Sequence, residues 1–315
     1  GSGFTTEGSE GSPLRAVNVL RASEALITAH PDVKIRLVFN DPNPRRVRQL
    51  AGRLGALLQT DNGVSLAHIE YLSQPFAEAV EALLPQLKQC KTANLILIDR
   101  FGEDQFNEAR LNQLRNLQHT DLLISVPSDW FRRFTASETA EFWAIDRSDI
   151  DSVNYNHIHR FMTSYFRSLI GNEHLVAPFT LKRGSDVSGL VFASQNPWRL
   201  DKFLKIAWRK DPFAGETNFD LYDEDAARMQ LALLDAHKVF DFQKELMACL
   251  ESGKFNSDRD IYLYGLQRGF LGRHAAQTVK AFCGMHNVRF RTRAGKPANP
   301  RLSYTSFRRP RPMVD

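Results

Sequence analysis

The residues best able to do chemistry are carboxylates placed directly after apolar, β-branched runs. Lys34–Asn40 ends in Asp41, Leu95–Ile98 ends in Asp99-Arg100-Phe101-Gly102, and Leu122–Val126 ends in Pro127-Ser128-Asp129-Trp130. In an open α/β sheet the ligand crevice lies beyond the carboxyl ends of the strands, so polar residues there point to a bound small molecule. A carboxylate after the second strand of a nucleotide-type sheet accepts both hydroxyls of a ribose, and Asp41 is placed for that task. The alternative is a helix cap, but Asn43 followed by Pro44 is the better cap in Asp41-Pro42-Asn43-Pro44. That leaves Asp41 in an extended conformation before Pro42.

A second set of residues is cationic. Arg273, Gln277 and Lys280 fall at i, i+4 and i+7, one face of a helix, while Ala276, Val279 and Cys283 supply an apolar face. Arg291, Arg293, Lys296 and Arg301 flank the Gly/Pro-rich segment Ala294-Gly295-Lys296-Pro297-Ala298-Asn299-Pro300. The net charge of the 315 residues is +5, yet the stretch from His286 to Asp315 carries eight basic residues against one acid. A basic end on a near-neutral body suits a polyanion, although a solvated tail has the same composition.

The elements that must position these residues follow from periodicity. Strands are expected at Lys34–Asn40, Val64–Tyr71, Leu95–Ile98 and Leu122–Val126, alternating with helices at Pro44–Leu58, Phe76–Leu87 and Asn107–Gln118. Leu95-Ile96-Leu97-Ile98 lacks polar alternation and reads as a central strand covered on both faces. Leu175–Lys182 and Gly189–Ala193 read as an edge hairpin, and Ser12 with Pro13 as a helix start. Toward the end come a helix from about Ala226 to Leu250, a short helix begun by Ser257-Asp258 and a second, Arg273 to Phe282. Two strand-like segments then follow, Val288–Arg293 and Arg301–Ser306. Helix, helix–turn–helix and basic hairpin is the order of a winged helix, whose second helix enters a major groove while the wing meets phosphates. The same fold also serves protein contacts. The fold class expected is therefore α/β: a Rossmann-like, mostly parallel sheet with an antiparallel edge hairpin over 1–219, and a helical linker with a winged-helix-like domain over 220–315.

Cys90, Cys249 and Cys283 lack the paired spacing of a zinc ribbon or disulfide scaffold, and no metal site is expected. No apolar run reaches the roughly 18 residues of a membrane helix, and the first residues lack a signal-peptide pattern. A cytoplasmic location is the expectation.

In order, several segments resemble the three-Cys-motif partner proteins, a bacterial family of S-adenosylmethionine methyltransferase-like proteins. They are Gly1-Ser2-Gly3 with Gly11-Ser12-Pro13-Leu14, Asp99-Arg100-Phe101-Gly102, and Leu190-Val191-Phe192-Ala193-Ser194. To these add Phe203-Leu204-Lys205-Ile206-Ala207-Trp208, then Asp211-Pro212 and Gly215-Glu216-Thr217-Asn218-Phe219. The resemblance implies an S-adenosylmethionine cofactor cradled by Gly1 and Gly3, its ribose held by Asp41, and a reaction pocket lined by Asp99 and Phe101. It further implies that Gly1–Gly3 ends a loop following a first strand; that strand is not in this sequence, so a gap in the sheet is expected. Arg100 stands where the family usually has proline, which weakens amine methylation in particular. Two functions are thus expected. One is a methyltransferase-like protein acting on or bound to nucleic acid, DNA rather than RNA. The other is a catalytically degenerate partner protein that binds nucleic acid and a three-cysteine iron–sulfur companion.

Overall fold

The computed structural model describes residues 3, 10–59, 67–89, 91–99, 108–127, 158–171, 173–183, 186–218, 227–292 and 294–314. By its contacts the chain forms two compact units, one of Gly1–Gln89 with Phe101–Phe106 and one of Cys90–Arg100 with Asn107–Asp315. The division differs from the expected boundary at 219/220, for a reason visible in the core described below.

The first unit contains α1 (Ser12–Ala22), α2 (Glu24–Thr28), β1 (Arg36–Asn40), α3 (Pro44–Gln59), β2 (His68–Leu72) and α4 (Phe76–Leu87). β1 and β2 pair in parallel, from Arg36 opposite His68 to Asn40 opposite Leu72. Leu50, Leu54 and Leu57 recur at i, i+4 and i+7 along α3. The first two are buried against Leu14 and Val17 of α1, with Phe39 and Ile69 packed alongside. Pro13 lies in the first turn of α1, with Gly11 as the N-cap in place of the expected Ser12.

The second unit holds β3 (Asn94–Asp99), α5 (Glu108–Arg115), β4 (Thr120–Pro127), α6 (Ile158–Ile170), β5 (Leu175–Arg183), β6 (Asp186–Ser194) and α7 (Pro197–Lys210). It continues with α8 (Ala227–Glu251), α9 (Asp258–Gln267), α10 (Gly272–His286), β7 (Arg289–Arg291), β8 (Pro297–Ala298), α11 (Tyr304–Arg308) and β9 (Met313–Val314). Its main sheet has the order β3-β4-β6-β5. β3 and β4 are parallel, while β6 runs antiparallel to both β4 and β5. The fold is thus mixed α/β, with parallel pairs and an antiparallel hairpin at one edge. Alternation places Leu122, Ile124 and Val126 of β4 in the core.

Two expectations are corrected here. β3 is not covered on both faces: β4 pairs with it on one side, and Leu95 and Leu97 remain 65% and 46% exposed while Ile98 is buried. An apolar run alone does not separate a central strand from one with a single covered face. Nor is Arg301–Ser306 a strand. Ser303 opens the helical turn α11, with the Tyr304 and Phe307 rings stacked 5.7 Å apart. β7 pairs instead with β8, inside what read as the hairpin tip, and with β9 near the C-terminus.

The core of this unit runs without a break from the sheet into the C-terminal helices. Leu175 and Phe192 of the hairpin and Leu200, Leu204 and Trp208 of α7 are buried together with Phe242 and Leu246 of α8, Ile261 of α9 and Val279 and Phe282 of α10. Trp208 is the joint: its ring lies 4.1 Å from that of His274, and its indole Nε1 donates to the Gly269 carbonyl at 2.8 Å. A boundary read from the acidic stretch after Phe219 missed this because burial couples distant segments whatever lies between them.

The segment after α7 covers the outer edge of β5. The Thr180 N–H donates to the Glu216 carbonyl and the Asn218 N–H to that of Thr180, so the edge's hydrogen-bonding groups are met. The Asp211 carboxylate accepts the N–H groups of Phe213, Ala214, Glu216 and Thr217. Gly215 needs its freedom here: φ is +67°, and a Cβ would come within 2.7 Å of the Trp208 ring. Lys238 of α8 closes the clasp by donating to the Ala214 carbonyl and to the Glu216 carboxylate. The residues of 203–218 that carry the resemblance therefore have a structural task.

Candidate functional site

The carboxylates expected to hold a nucleotide-type ligand lie in different units, Asp41 in the first and Asp99 in the second. Asp41 follows β1 and is 9% exposed. Its Oδ1 accepts the Asn43 N–H at 2.9 Å, and Arg46 approaches its Oδ2 at 3.8 Å. Asn43 caps α3 as expected, its Oδ1 accepting the Arg45 N–H at 2.9 Å. Asp41, expected to be left for the crevice, is instead engaged in an Asx-type turn with Asn43, because a short side chain before a helix bonds its own backbone two residues on.

Gly3 is buried with φ at +92°, and its carbonyl accepts the Gly11 N–H at 2.7 Å. A Cβ there would sit 3.0 Å from Leu50 Cδ1, so both conformation and packing select glycine. Asp99 ends β3 opposite Ser125 and is exposed. Gly1 and Phe101 lie outside the described residues. Among the described residues no three His, Cys, Asp or Glu side chains gather as a metal set, and no helix is long and apolar enough to cross a membrane.

Of the cationic set, Arg273, Gln277 and Lys280 lie on α10, and Arg291 and Lys296 on the β7–β8 hairpin that follows it. Gly269, with φ at +82°, ends α9, and the turn through Phe270 and Leu271 starts α10. One face of α10 buries Ala275, Thr278, Val279 and Phe282. The opposite face exposes Arg273, Ala276, Gln277, Lys280, Ala281 and Gly284, so long polar side chains alternate with residues that project almost nothing. Asn287, in the left-handed conformation at φ +54°, ends the helix and turns the chain into β7.

The chain matches no protein-family profile, no curated protein and no solved structure. β7 points Arg289 and Arg291 outward on either side of buried Phe290. A tight turn follows: the Thr292 N–H donates to the Lys296 carbonyl, and Gly295 adopts φ +75°. Arg291 donates to the Gly295 carbonyl at 3.1 Å, which ties its guanidinium to the loop beside exposed Lys296.

Arg293 lies outside the described residues. Arg301 is exposed but stands between β8 and α11, outside the hairpin where it was expected. Its N–H donates to Asp258 Oδ2 at 2.8 Å, and the Arg311 N–H donates to Oδ1 at the same distance. Asp258 is completely buried, so this one carboxylate fastens two basic segments to the start of α9. The sequence offered Asp258 only as a helix start.

The electrostatics favour an anionic ligand. From Gly272 to Val314 there is no Asp or Glu, whereas Arg273, Lys280, Arg289, Arg291, Lys296, Arg301, Arg308 and Arg309 are exposed. Inside the turn, burial holds His274 well below the ordinary histidine value, at about 4, with Arg273 and Lys238 pushing the same way. Its Nδ1 accepts the Leu271 N–H at 3.2 Å, a contact only the neutral ring can make. At neutral pH the charge here is thus that of the Arg and Lys side chains.

Proposed function

We propose that this chain is a DNA-binding protein built on a methyltransferase-like scaffold, with α10 seated in a major groove and the β7–β8 hairpin set against flanking phosphates as the wing of a winged helix. One observation carries the reading: the exposed face of α10 presents Arg273, Gln277 and Lys280 between alanines and a glycine, on a stretch of chain that has no acid. Small residues let a helix lie close to base edges. Arg suits guanine and Gln suits adenine, each through paired hydrogen bonds. A B-form major groove admits a helix, while the deep, narrow groove of duplex RNA does not, which favours DNA.

Fluorescence anisotropy with a labelled DNA duplex tests it. Log affinity should fall linearly with log salt, and Lys280→Ala and Lys296→Ala should each reduce the slope by about 0.9. A duplex bound with no salt dependence, or not bound at all, overturns it.

A second reading, S-adenosylmethionine bound in the first unit, draws support from Gly3 and Asp41. A glycine at φ +92° lies in the same unit as a carboxylate at the end of a parallel strand. The resemblance to three-Cys-motif partner proteins suggests the cofactor and an iron–sulfur companion. Calorimetric titration with S-adenosylmethionine should then give heat that Asp41→Ala abolishes; absence of heat sinks this reading and leaves DNA binding standing.

A further inference from the structure

A second cationic surface lies on α7, outside the residues assigned above. The inward face of this helix buries Leu200, Leu204, Ala207 and Trp208. Its outward face exposes Trp198, Lys202, Lys205, Ile206, Arg209 and Lys210. The spacing 198, 202, 205 and 209 keeps Trp198, Lys202, Lys205 and Arg209 on one stripe, with Ile206 and Lys210 along its flank. The helix has a single acid, Asp201, which is 5% exposed and accepts from Lys205 Nζ at 2.6 Å. Lys202, Arg209 and Lys210 are left as the outward charge, with the Lys202 ammonium 5.2 Å from the centre of the Trp198 ring.

Trp208, on the buried face of α7 next to Arg209 in sequence, packs tilted against His274, next to Arg273, with ring centres 4.1 Å apart. The C-terminal end of α7 and the N-terminal end of α10 therefore meet. Both helices are cationic, and α10 contributes no acid at all. A 14-residue helix is about 21 Å long, which matches the rise of roughly six base pairs. We propose that α7 is a second nucleic-acid contact, along which the backbone of a duplex held by α10 continues, with Lys202, Arg209 and Lys210 opposite phosphates and the Trp198 and Ile206 side chains against the sugars. The partner is committed by charge, three outward cations with no exposed acid on the helix, and by continuity with α10. The inference rests on the reading of α10 as the groove-binding helix.

The test uses the full chain and fluorescein-labelled duplexes of about 12 and about 30 base pairs, the shorter sized for α10 and the hairpin alone. Three proteins are compared: the wild type, the triple variant Lys202→Ser, Arg209→Ser, Lys210→Ser, and the double variant Arg273→Ala, Lys280→Ala. The triple variant should bind the long duplex about tenfold more weakly with a salt slope lower by about 2.5, and bind the short duplex like the wild type. The double variant should lose affinity for both. Unchanged binding of the long duplex by the triple variant, or equal loss on both lengths, overturns the α7 contact while leaving α10 in place. If the wild type binds neither duplex, the reading of α10 fails instead, and the inference with it. All three α7 substitutions are on exposed side chains, so an unchanged melting temperature shows that a loss of affinity is not a loss of fold.

Discussion

His274 shows how one residue's surroundings set a response of the whole chain. Its ring is packed between Trp208 and Phe270 and accepts the Leu271 N–H, so protonation would break a hydrogen bond and place a charge among aromatic rings beside Arg273. With a value near 4 in the folded chain and about 6.5 in an unfolded one, the unfolded chain takes up the extra proton first as pH falls. Stability should therefore be intact above pH 6.5, decline between pH 6.5 and 4, and level off below. The contribution is on the order of 2 kcal/mol once the ring's partial contact with solvent is allowed for. Urea unfolding of wild type and His274→Gln at pH 7.5 and pH 4.5 isolates it, since glutamine can still accept the Leu271 N–H. A pH-induced loss no smaller in the variant than in the wild type would remove His274 from the account. Asp41 makes the complementary point. Its type and place after a strand were legible in the sequence, but its bond to Asn43 was not, because a carboxylate before a helix suits a ligand and a turn equally well.

At the scale of elements, regular periodicity was read well and short or irregular pairing was not. The heptad-like leucines of α3, the alternation in β4 and the polar stripe of α10 each carry several residues of signal, and those elements lie where they were expected, but Ala276, expected on the inward face of α10, is exposed, and Ala275 is buried in its stead. Arg301–Ser306 misled because its residue types allow either a strand or a helical turn; the outcome was decided by burial of Ser306 and by the anchor at Asp258, both far from local preference. The cations of α7 were visible at helical spacing but sit within a segment whose apolar residues dominate its pattern. Two glycines of α10 separate local preference from packing. At Gly272 a Cβ would lie 1.7 Å from the Leu302 carbonyl oxygen, whereas at Gly284 it would meet nothing within 4 Å. Gly272→Ala should accordingly cost about 3 kcal/mol by forcing the α10 start away from the Leu302 backbone. Gly284→Ala should stabilise by about 0.5–1 kcal/mol, as expected in an open helical position. Denaturant midpoints of the two variants should thus move in opposite directions, and a Gly272→Ala midpoint equal to that of the wild type would mean that α10 does not abut Leu302.

For the second unit as a whole, the decisive fact is that the sheet and the C-terminal helices share one core. A winged-helix module joined to a methyltransferase-like domain by a linker would fold on its own, and a cut at 219/220 would release it intact. Here such a cut divides one buried cluster, parting Phe242, Leu246, Val279 and Phe282 from Leu200, Leu204 and Trp208. It also removes the Gly269 carbonyl's indole donor and leaves Lys238 without the Ala214 carbonyl and the Glu216 carboxylate. Each large apolar side chain laid bare costs about 1.5–3 kcal/mol, and a handful of them equals the net stability of an ordinary domain. The 220–315 fragment should therefore keep helical far-ultraviolet circular dichroism but melt without a sharp transition and bind a hydrophobic dye. In the intact chain, by contrast, Phe242→Ala in α8 and Leu204→Ala in α7 should lower the same single transition. A fragment that melts as sharply as the full chain would show the two halves to be separable. In that case the proposed seating of α10 in DNA would not require the sheet, and the joint at Trp208 would have no part in the proposed alignment of α7 with a duplex.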